Sequence, residues 1–92
     1  MDAALLDTDG DTTQWTQRLR ISTSQPLRKV HRNMLRELEQ HWTLVSQGVD
    51  SQWSKSVWTF KDREGLPWRG EVTLRLTAPG RFDAVVSVHH SP

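Results

Sequence analysis

The chain of 92 residues contains no cysteine, so neither a disulfide nor a thiolate metal site can stabilise it. It also lacks any run of about 18 apolar residues, so no transmembrane helix is predicted. The opening residues MDAALLDTDGD have no basic segment and no long apolar core, unlike a secretory signal. These absences favour one small, soluble domain located in the cytoplasm.

Motifs that carry catalysis are missing as well. There is no Gly-x-Ser-x-Gly elbow, and the five glycines are scattered rather than gathered into a phosphate-binding loop. The acids Glu37 and Glu39 are two residues apart in a predicted helix, so they do not face each other. We therefore predict that the chain is not an enzyme, and that it has no catalytic residue and no cofactor.

The acidic piece DTDGD invites comparison with a calcium-binding loop. Asp7, Asp9 and Asp11 match its first three ligand positions. Thr12 then stands where such a loop needs glycine, and Arg18 stands where it needs the bidentate glutamate. A cation at that position repels the ion, so no calcium site is predicted.

The four histidines do not form a metal site either. His89 and His90 are adjacent in a predicted strand, so their side chains point to opposite faces. His31 and His41 are ten residues apart, which separates them by about 80° around a helix and by roughly 15 Å along it. Metal or small-ligand binding is therefore the weakest of the functional hypotheses.

What the chain does contain is tryptophan and segregated charge. Each of its five tryptophans can bury roughly 150–250 Å², which is a large supply for a thin core. The formal net charge is only +1, but residues 1–11 carry four acids and no base. Residues 12–36 carry six bases and no acid: Arg18, Arg20, Arg28, Lys29, Arg32 and Arg36. Charge blocks of this kind bear on partners more than on fold.

Periodicity predicts the elements. Residues 1–12 have none and are predicted to be an acidic flexible tail, which leaves residues 13–92 as a single α+β domain. Alternation predicts strands over residues 14–22, 53–61, 70–78 and 82–90. An apolar stripe predicts one long helix over residues 25–47, with Ser24 as N-cap and Gly48 as its stop. The predicted fold is β-α-β-β-β, a four-stranded antiparallel sheet with one long amphipathic helix on one face.

The register of the last hairpin can also be predicted. In both of its strands the apolar residues have even numbers, so paired numbers must have an even sum for them to meet. We therefore expect an odd-length loop, Pro79-Gly80-Arg81. Leu76 would then face Ala84, and Glu71 would face His89.

The basic segment is the first functional signal. Arg28, Arg32 and Arg36 form one stripe along the predicted helix, while Arg18 and Arg20 share the outer side of the first strand. Arginine binds carboxylate and phosphate groups bidentately, so the stripe fits an acidic protein surface or a nucleic acid. A merely solvated helix face is the alternative.

The second signal is the strand WSKSVWTFK, which carries large apolar groups on both sides. One helix covers one face of a sheet, so Trp53 and Val57 are expected to be exposed on the other. Alternatively, Trp53 closes the edge of the core. A homodimer that buries this outer face is a further candidate.

By elimination, the sequence favours a non-enzymatic protein-binding module of the inhibitor, immunity, anti-defence or adaptor type. It would occlude a partner surface, with tryptophan as an anchor inside a rim of arginines. The alternative is a nucleic-acid-binding module that uses the basic face of residues 18–36. The predicted partner-binding residues are Arg18, Arg20, Arg28, Arg32, Arg36, Trp53 and Val57.

Overall fold

Six strands and one short helix make up residues 2–90, the part of the chain that the computed structural model describes. In chain order they are β1 (Asp2–Gly10), β2 (Gln14–Ser22), α1 (Leu27–Leu38), β3 (Thr43–Val49), β4 (Trp53–Lys61), β5 (Pro67–Ala78) and β6 (Arg81–His90). The strands form one antiparallel sheet in the order β1-β2-β6-β5-β4-β3. The fold is mostly β.

The predicted four-stranded sheet with a long helix is therefore wrong. The four strands expected from alternation exist, and they form the centre of the sheet as β2, β6, β5 and β4. The structure adds one strand at each edge. Both edge strands come from segments that the sequence assigned to other structures.

The helix is shorter than predicted because its second half becomes the edge strand β3. Backbone N–H groups of His41 and Trp42 donate to the carbonyl of Leu38 and close the last turn. The following residues, TLVSQGV, pair with β4 instead of continuing the helix, so Gly48 lies inside a strand. The N-cap also differs, since extended Pro26 occupies it in place of Ser24. Pairing with a buried strand outweighs an apolar stripe that local sequence alone suggested.

The predicted acidic tail forms the other edge strand, β1. It pairs with β2 along its length, with a register shift between Leu5 and Asp7, and its residues from 3 onward are exposed. The turn into β2 is held by Asp11, whose Oδ1 accepts the backbone N–H groups of Thr13 at 2.8 Å and Gln14 at 3.1 Å. An exposed strand has no buried face to impose alternation, so its sequence carried no strand signal.

The loop of the hairpin between β5 and β6 is one residue shorter than predicted. Ala78 pairs with Arg81, so the loop is the two residues Pro79-Gly80, and Gly80 adopts a φ of 77° that favours glycine. A register shift between Leu76 and Ala78 then moves Leu76 opposite Phe82. The bulge restores the even parity that an odd loop was expected to supply.

The even-numbered residues consequently do meet, but two positions away from the predicted pairs. Leu74 lies opposite Ala84 rather than Val86, and Glu71 lies opposite Ser87 rather than His89. The even numbering of the apolar residues identified which residues share a face, whereas the bulge set the register.

The sheet has two different faces. The face toward α1, called the inner face, carries the core around Leu74, Phe82 and Ala84, against Leu27 and Val30 of the helix. The helix backbone is nearest to β3, β4 and β5, and its Leu27 and Val30 also pack in the core with Phe82 and Ala84 of β6. The opposite face, called the outer face, carries the alternate residues of every strand and no helix.

An aromatic cluster closes the inner face beyond the end of α1. Trp42 stacks on Phe60 with ring centroids 4.6 Å apart and contacts Trp58 edge-on at 6.4 Å. Phe60 stacks on Trp68 at 6.1 Å, and Trp68 contacts His90 at 4.1 Å. Such contacts add to the apolar area that the rings bury, so this small domain concentrates stabilisation at this end.

Replacing either of two buried serines in β4 by alanine is expected to change the free energy of unfolding in opposite directions. Ser56 Oγ accepts the indole N–H of Trp58 at 2.8 Å, whereas Ser54 Oγ has no hydrogen-bond partner within residues 2–90. We expect Ser54→Ala to raise the free energy of unfolding by about 1 kcal/mol, because it removes an unsatisfied buried hydroxyl. Ser56→Ala should lower it by about 1 kcal/mol, because it leaves the indole N–H without an acceptor.

Urea denaturation of the two variants beside the wild type measures both values. Because the serines lie two residues apart on the same face of the same strand, each serves as the control for the other. Equal destabilisation of both variants would contradict this account of the hydrogen bonding.

Candidate binding face

The structure divides the predicted basic face between two surfaces. Leu19 and Ile21 alternate with Arg18 and Arg20 along β2 and pack against the core. The two arginines therefore lie on the outer face of the sheet. Arg28, Arg32 and Arg36 are exposed on α1, which lies over the other face. The five arginines therefore do not form one continuous surface.

Arg20 belongs to a row of side chains that crosses four strands on the outer face. The row runs from Arg20 to Asp83, Arg75 and Trp53 on β2, β6, β5 and β4. Arg20 Nε lies 3.8 Å from Asp83 Oδ1. With strands about 4.8 Å apart, Asp83 stands between Arg20 and Arg75 in this row, and Arg75 stands between Asp83 and Trp53.

A parallel row follows two residues along the strands. It contains Arg18, Val85, Thr73 and Lys55. Lys55 Nζ lies 3.9 Å from Glu71 Oε2, and the two side chains are 48% and 40% exposed. Exposed pairs of this kind contribute little stability, so these charges remain available to a partner.

Cations outnumber acids on the outer face of the four central strands. Glu71 and Asp83 are its acids. Its cations are Arg18, Arg20, Lys55, Lys61, Arg69, Arg75 and Arg81. Asp7 and Asp9 of the neighbouring edge strand β1 also stand on the outer face, opposite Arg18 and Thr16. Seven cations against four acids leave an excess of three positive charges in a chain whose net charge is +1. We call these cations, together with Trp53, the basic outer face.

Sequence reasoning missed five cations of this face: Lys55, Lys61, Arg69, Arg75 and Arg81. The signal was present for Arg69 and Arg75, since both have odd numbers in β5, where the even-numbered Val72, Leu74 and Leu76 are apolar. The predicted alternation placed them beside Arg18 and Arg20, but charge was assessed by blocks along the chain rather than by face.

Trp53 is 48% exposed at the edge of the basic outer face. It begins β4, and the preceding turn fixes its backbone: Asp50 Oδ1 accepts the N–H groups of Gln52 at 2.8 Å and Trp53 at 2.9 Å. These two hydrogen bonds lower the pKa of Asp50 below its ordinary value, and the bond from the Gln52 N–H has the larger effect. The exposed indole is therefore carried on an ordered backbone.

Val57 does not share that exposure. The sequence predicts it beside Trp53 on an open face, but it is only 7% exposed. It lies opposite Glu71 on β5 and Ser46 on β3, and neighbouring side chains of the outer face cover it. Val57 supports the surface, and Trp53 is its exposed apolar group.

The helix arginines border a different feature. Arg28 and Arg32 line a hollow between α1 and β3, together with buried His31. His31 Nε2 and Gln47 Oε1 are 2.9 Å apart and tie the helix to the edge strand. This hydrogen bond gives His31 a structural role.

The remaining histidines lie apart from one another. His90 is on the inner face against Trp68, whereas His89 is on the outer face opposite Arg69. Within residues 2–90, no three side chains of the His, Asp or Glu type are grouped so that they could hold a metal ion. In the same part of the chain, no helix has the length and apolar content needed to cross a membrane.

The inner face contains an apolar groove of about 580 Å³ beside α1. Its floor is formed by β2, β5 and β6, and Ala3 of β1 lines its far side. The groove lies on the opposite side of the sheet from the basic outer face. The molecule thus presents two candidate surfaces of different chemistry.

Comparison with known proteins gave no match to a protein-family model and none to a curated protein.

Proposed function

We propose that this chain is a small non-enzymatic protein-binding module whose basic outer face occludes an acidic surface of its partner. The observation that carries the proposal is the grouping of seven cations against four acids on the outer face, with one exposed tryptophan at its edge. Arginine and lysine at such a density select for carboxylates, and a large exposed ring supplies the apolar anchor.

The rigidity of the face favours this role. Its cations stand on four central strands that are hydrogen-bonded on both sides, so few backbone degrees of freedom are lost on binding. The positive field steers an acidic partner toward the face and raises the association rate. Trp53, flanked by Arg75 and Lys55, then contributes most of the affinity after contact.

One observation favours nucleic acid as the second candidate. The outer face places hydroxyl groups beside the cations, with Thr16 Oγ1 and Ser87 Oγ 3.3 Å apart and Thr73 in the next row. Hydroxyls and guanidinium groups both bind phosphate. Against this candidate, the face exposes a single tryptophan, while single-strand binders stack several bases on successive aromatic rings.

Charge reversal tests the protein-binding proposal. Immobilised wild type, Arg20→Glu/Arg75→Glu and the matched control Arg28→Glu/Arg32→Glu are each exposed to nuclease-treated extract of the source cells. A partner of the basic outer face should be retained by wild type and by the helix control. The affinity of this partner for the outer-face variant should fall at least about tenfold, because the new glutamates repel its acidic surface.

Trp53→Ala provides the second arm, since the exposed ring can be removed without opening the core. It should weaken the same partner by about thirtyfold, as truncation of a binding hot spot does. Loss of the partner in the helix control alone, or equal retention by every variant, would contradict the proposal.

The nucleic-acid candidate has a separate readout. Its affinity for mixed DNA and RNA should fall steeply between about 50 and 200 mM salt, because phosphate contacts release counterions. Absence of binding at about 50 mM would eliminate it.

A further inference from the structure

The edge strand β3 directs backbone groups to solvent. The N–H of Asp50 donates to the carbonyl of Trp53 at 2.9 Å, so these residues form the hydrogen-bonded pair that closes the turn into β4. Hydrogen-bonded and non-hydrogen-bonded pairs alternate along an antiparallel ladder, which leaves Val49 and Gln47 in non-hydrogen-bonded pairs with β4. The N–H and C=O groups of these two residues therefore point away from β4, beyond the edge of the sheet.

The other side of β4 agrees with this assignment. The N–H of Leu76 on β5 donates to the carbonyl of Gln52 at 2.7 Å, so the next residue, Trp53, is in a non-hydrogen-bonded pair with β5. A residue that does not hydrogen-bond to the strand on one side directs its backbone groups to the other side. Trp53 therefore hydrogen-bonds to β3, as its contact with Asp50 shows.

The side chains of β3 do not protect this edge from pairing. Its sequence TLVSQGV contains no charged residue and no proline, and Val45 is 54% exposed. A register shift between Leu44 and Ser46 interrupts the strand, but residues 46–49 pair regularly with β4. A free edge of this kind accepts an extended peptide as an additional strand.

A hollow of about 200 Å³ lies between this edge and α1. It is lined by Arg28, His31, Arg32, Leu35, Gln47 and Val49. Helix residues 28–35 share the hollow with two residues of β3, so α1 runs alongside the strand. The hydrogen-bond contact of 2.9 Å between His31 Nε2 and Gln47 Oε1 ties the two elements together, so the hollow exists before any ligand binds.

The hollow is basic. Arg28 and Arg32 are exposed, and within residues 2–90 neither of them forms an ion pair. Backbone hydrogen bonds of its own turn, and then the charge of Arg28, lower the pKa of Asp50 at the end of β3. One acid beside two arginines leaves a positive charge at the hollow, which favours an anionic ligand.

We propose that an extended acidic segment of a partner protein adds to β3 as a seventh strand and places its carboxylates on Arg28 and Arg32. The backbone of the segment pairs with the N–H and C=O groups of Gln47 and Val49. The proposal goes beyond the binding role of the basic outer face, because these two arginines belong to α1 and not to that face.

The pairing determines which side chains of the segment face the helix. Paired residues share a face of the sheet, and Gln47 and Val49 stand on the inner side, toward His31 and the core. The two residues that pair with them therefore point toward α1, about 6.8 Å apart. Arg28 and Arg32 are one turn apart, about 6 Å along the helix. Two carboxylates at alternate positions consequently match the two arginines.

The distance between the helix and the added strand suits these side chains. The helix lies mainly over β4, so a strand added to β3 stands about 10 Å to the side of the helix axis. A helix with its side chains extends about 5–6 Å from its axis, so the arginines cover about half of this offset. A glutamate side chain of the added strand covers the remainder.

The residue between the two acids points to the outer side, opposite Gly48. A Cβ atom at Gly48 would meet no atom within 4 Å, so the space above it is open. Beyond it lies a hollow of about 270 Å³, lined by Ser46, Trp53, Lys55 and Val57, among others. An apolar side chain fits above Gly48 toward this hollow. The segment therefore has an acid at every second position and an apolar residue between the acids.

The opposite edge of the sheet does not suit the same segment. The edge strand β1 carries Asp7 and Asp9, and it contains no base. Acids on both strands of a pair repel each other, whereas β3 contains no acid. An acidic segment therefore selects the β3 edge.

Nuclear magnetic resonance titration of the full chain with a capped peptide, Glu-Val-Glu-Val-Glu, tests the site. The dissociation constant should lie below about 1 mM, and the largest shifts should fall on the backbone amides of Gln47 and Val49. The matched control is Glu-Glu-Val-Val-Glu, which has the same composition and no acids at neighbouring alternate positions. It should bind at least about fivefold more weakly, because its acids cannot face both arginines together.

N-methylation of the peptide distinguishes strand addition from attraction between charges. A methyl group on the nitrogen of the central glutamate removes a donor that pairs with β3, so the affinity should fall at least about tenfold. A methyl group on the nitrogen of a valine points away from β3. It should change the affinity less than about threefold.

Charge reversal of the protein tests the assigned arginines. Arg28→Glu/Arg32→Glu should weaken binding of Glu-Val-Glu-Val-Glu at least about tenfold, whereas Arg20→Glu/Arg75→Glu should change it less than about threefold. The same two variants have the opposite expected effects on a partner of the basic outer face. Failure of this proposal is therefore distinguishable from failure of the proposed function.

Chemical-shift changes confined to the outer face, or equal binding of the two N-methylated peptides, would overturn the proposal. Displacement of the peptide by an equal concentration of mixed single-stranded DNA would also overturn it, because the site would then take phosphates. Sedimentation velocity detects a third contrary result, assembly of the free chain into extended oligomers in which β1 of a second copy occupies the β3 edge. Circular dichroism of each variant establishes that the fold is retained.

Discussion

Trp58→Ala is expected to lower the free energy of unfolding by about 3–5 kcal/mol, the largest effect of any single substitution considered. Trp58 is 0% exposed on the inner side of β4. Its ring contacts Trp42 edge-on, and its indole N–H donates to Ser56 Oγ. Alanine would remove the ring contacts and leave the buried Ser56 hydroxyl without its donor. It would also leave a cavity that the rigid β-strands cannot close.

Urea or guanidinium denaturation followed by circular dichroism measures the loss. Trp53→Ala is the matched control, because it removes the same side chain from the same strand on the other face. Its cost should stay below about 1 kcal/mol, since nearly half of that ring is already in solvent. Similar losses in the two variants would mean that the two faces of β4 are assigned wrongly.

Gly70→Val is expected to destabilise the domain by about 1–3 kcal/mol through overpacking. Gly70 lies in β5 beneath Trp42, and a Cβ atom there would stand 3.2 Å from Trp42 Cζ3 and 3.4 Å from Val88 Cγ1. The backbone φ of Gly70 is not positive, so the cost is steric. To make room, Trp42 must shift from its stack on Phe60.

Gly48→Val is the matched control, because a Cβ atom at Gly48 in edge strand β3 meets no atom within 4 Å. It should be neutral or slightly stabilising, since valine favours extended backbone more than glycine does. Near-ultraviolet circular dichroism should report disturbed tryptophan packing for Gly70→Val alone. An unchanged spectrum and stability for that variant would contradict the placement of Trp42.

Of the central strands, β2, β5 and β6 were predictable because each has a regular alternation, whereas β4 carries large apolar groups on both sides. β2 and β4 have the predicted bounds of residues 14–22 and 53–61. Alternation also identified the face of each residue, including the opposite placement of His89 and His90. The hairpin register was not predictable, since the bulge between Leu76 and Ala78 changes it by two positions without changing parity.

The edge strands could not be predicted, for two different reasons. β1 is exposed along residues 3–10, so no burial pattern distinguishes it from a tail. The segment that leads into β3 has a helix-compatible spacing at Leu38, Trp42 and Val45, yet Val45 is 54% exposed in the structure. Its strand state depends on β4, which follows it in sequence and offers hydrogen bonds that a local pattern cannot reveal.

By itself, the sequence determined the four central strands, the side of the sheet on which each of their residues stands, and the position of the helix start to within a few residues. These features follow from local alternation and turn chemistry. Tertiary structure decided where the helix ends, that six strands pair, and that arginines adjacent in sequence lie on opposite layers. It also gathered Arg20, Arg75 and Trp53 into one row, because strands far apart in the chain become neighbours only through pairing.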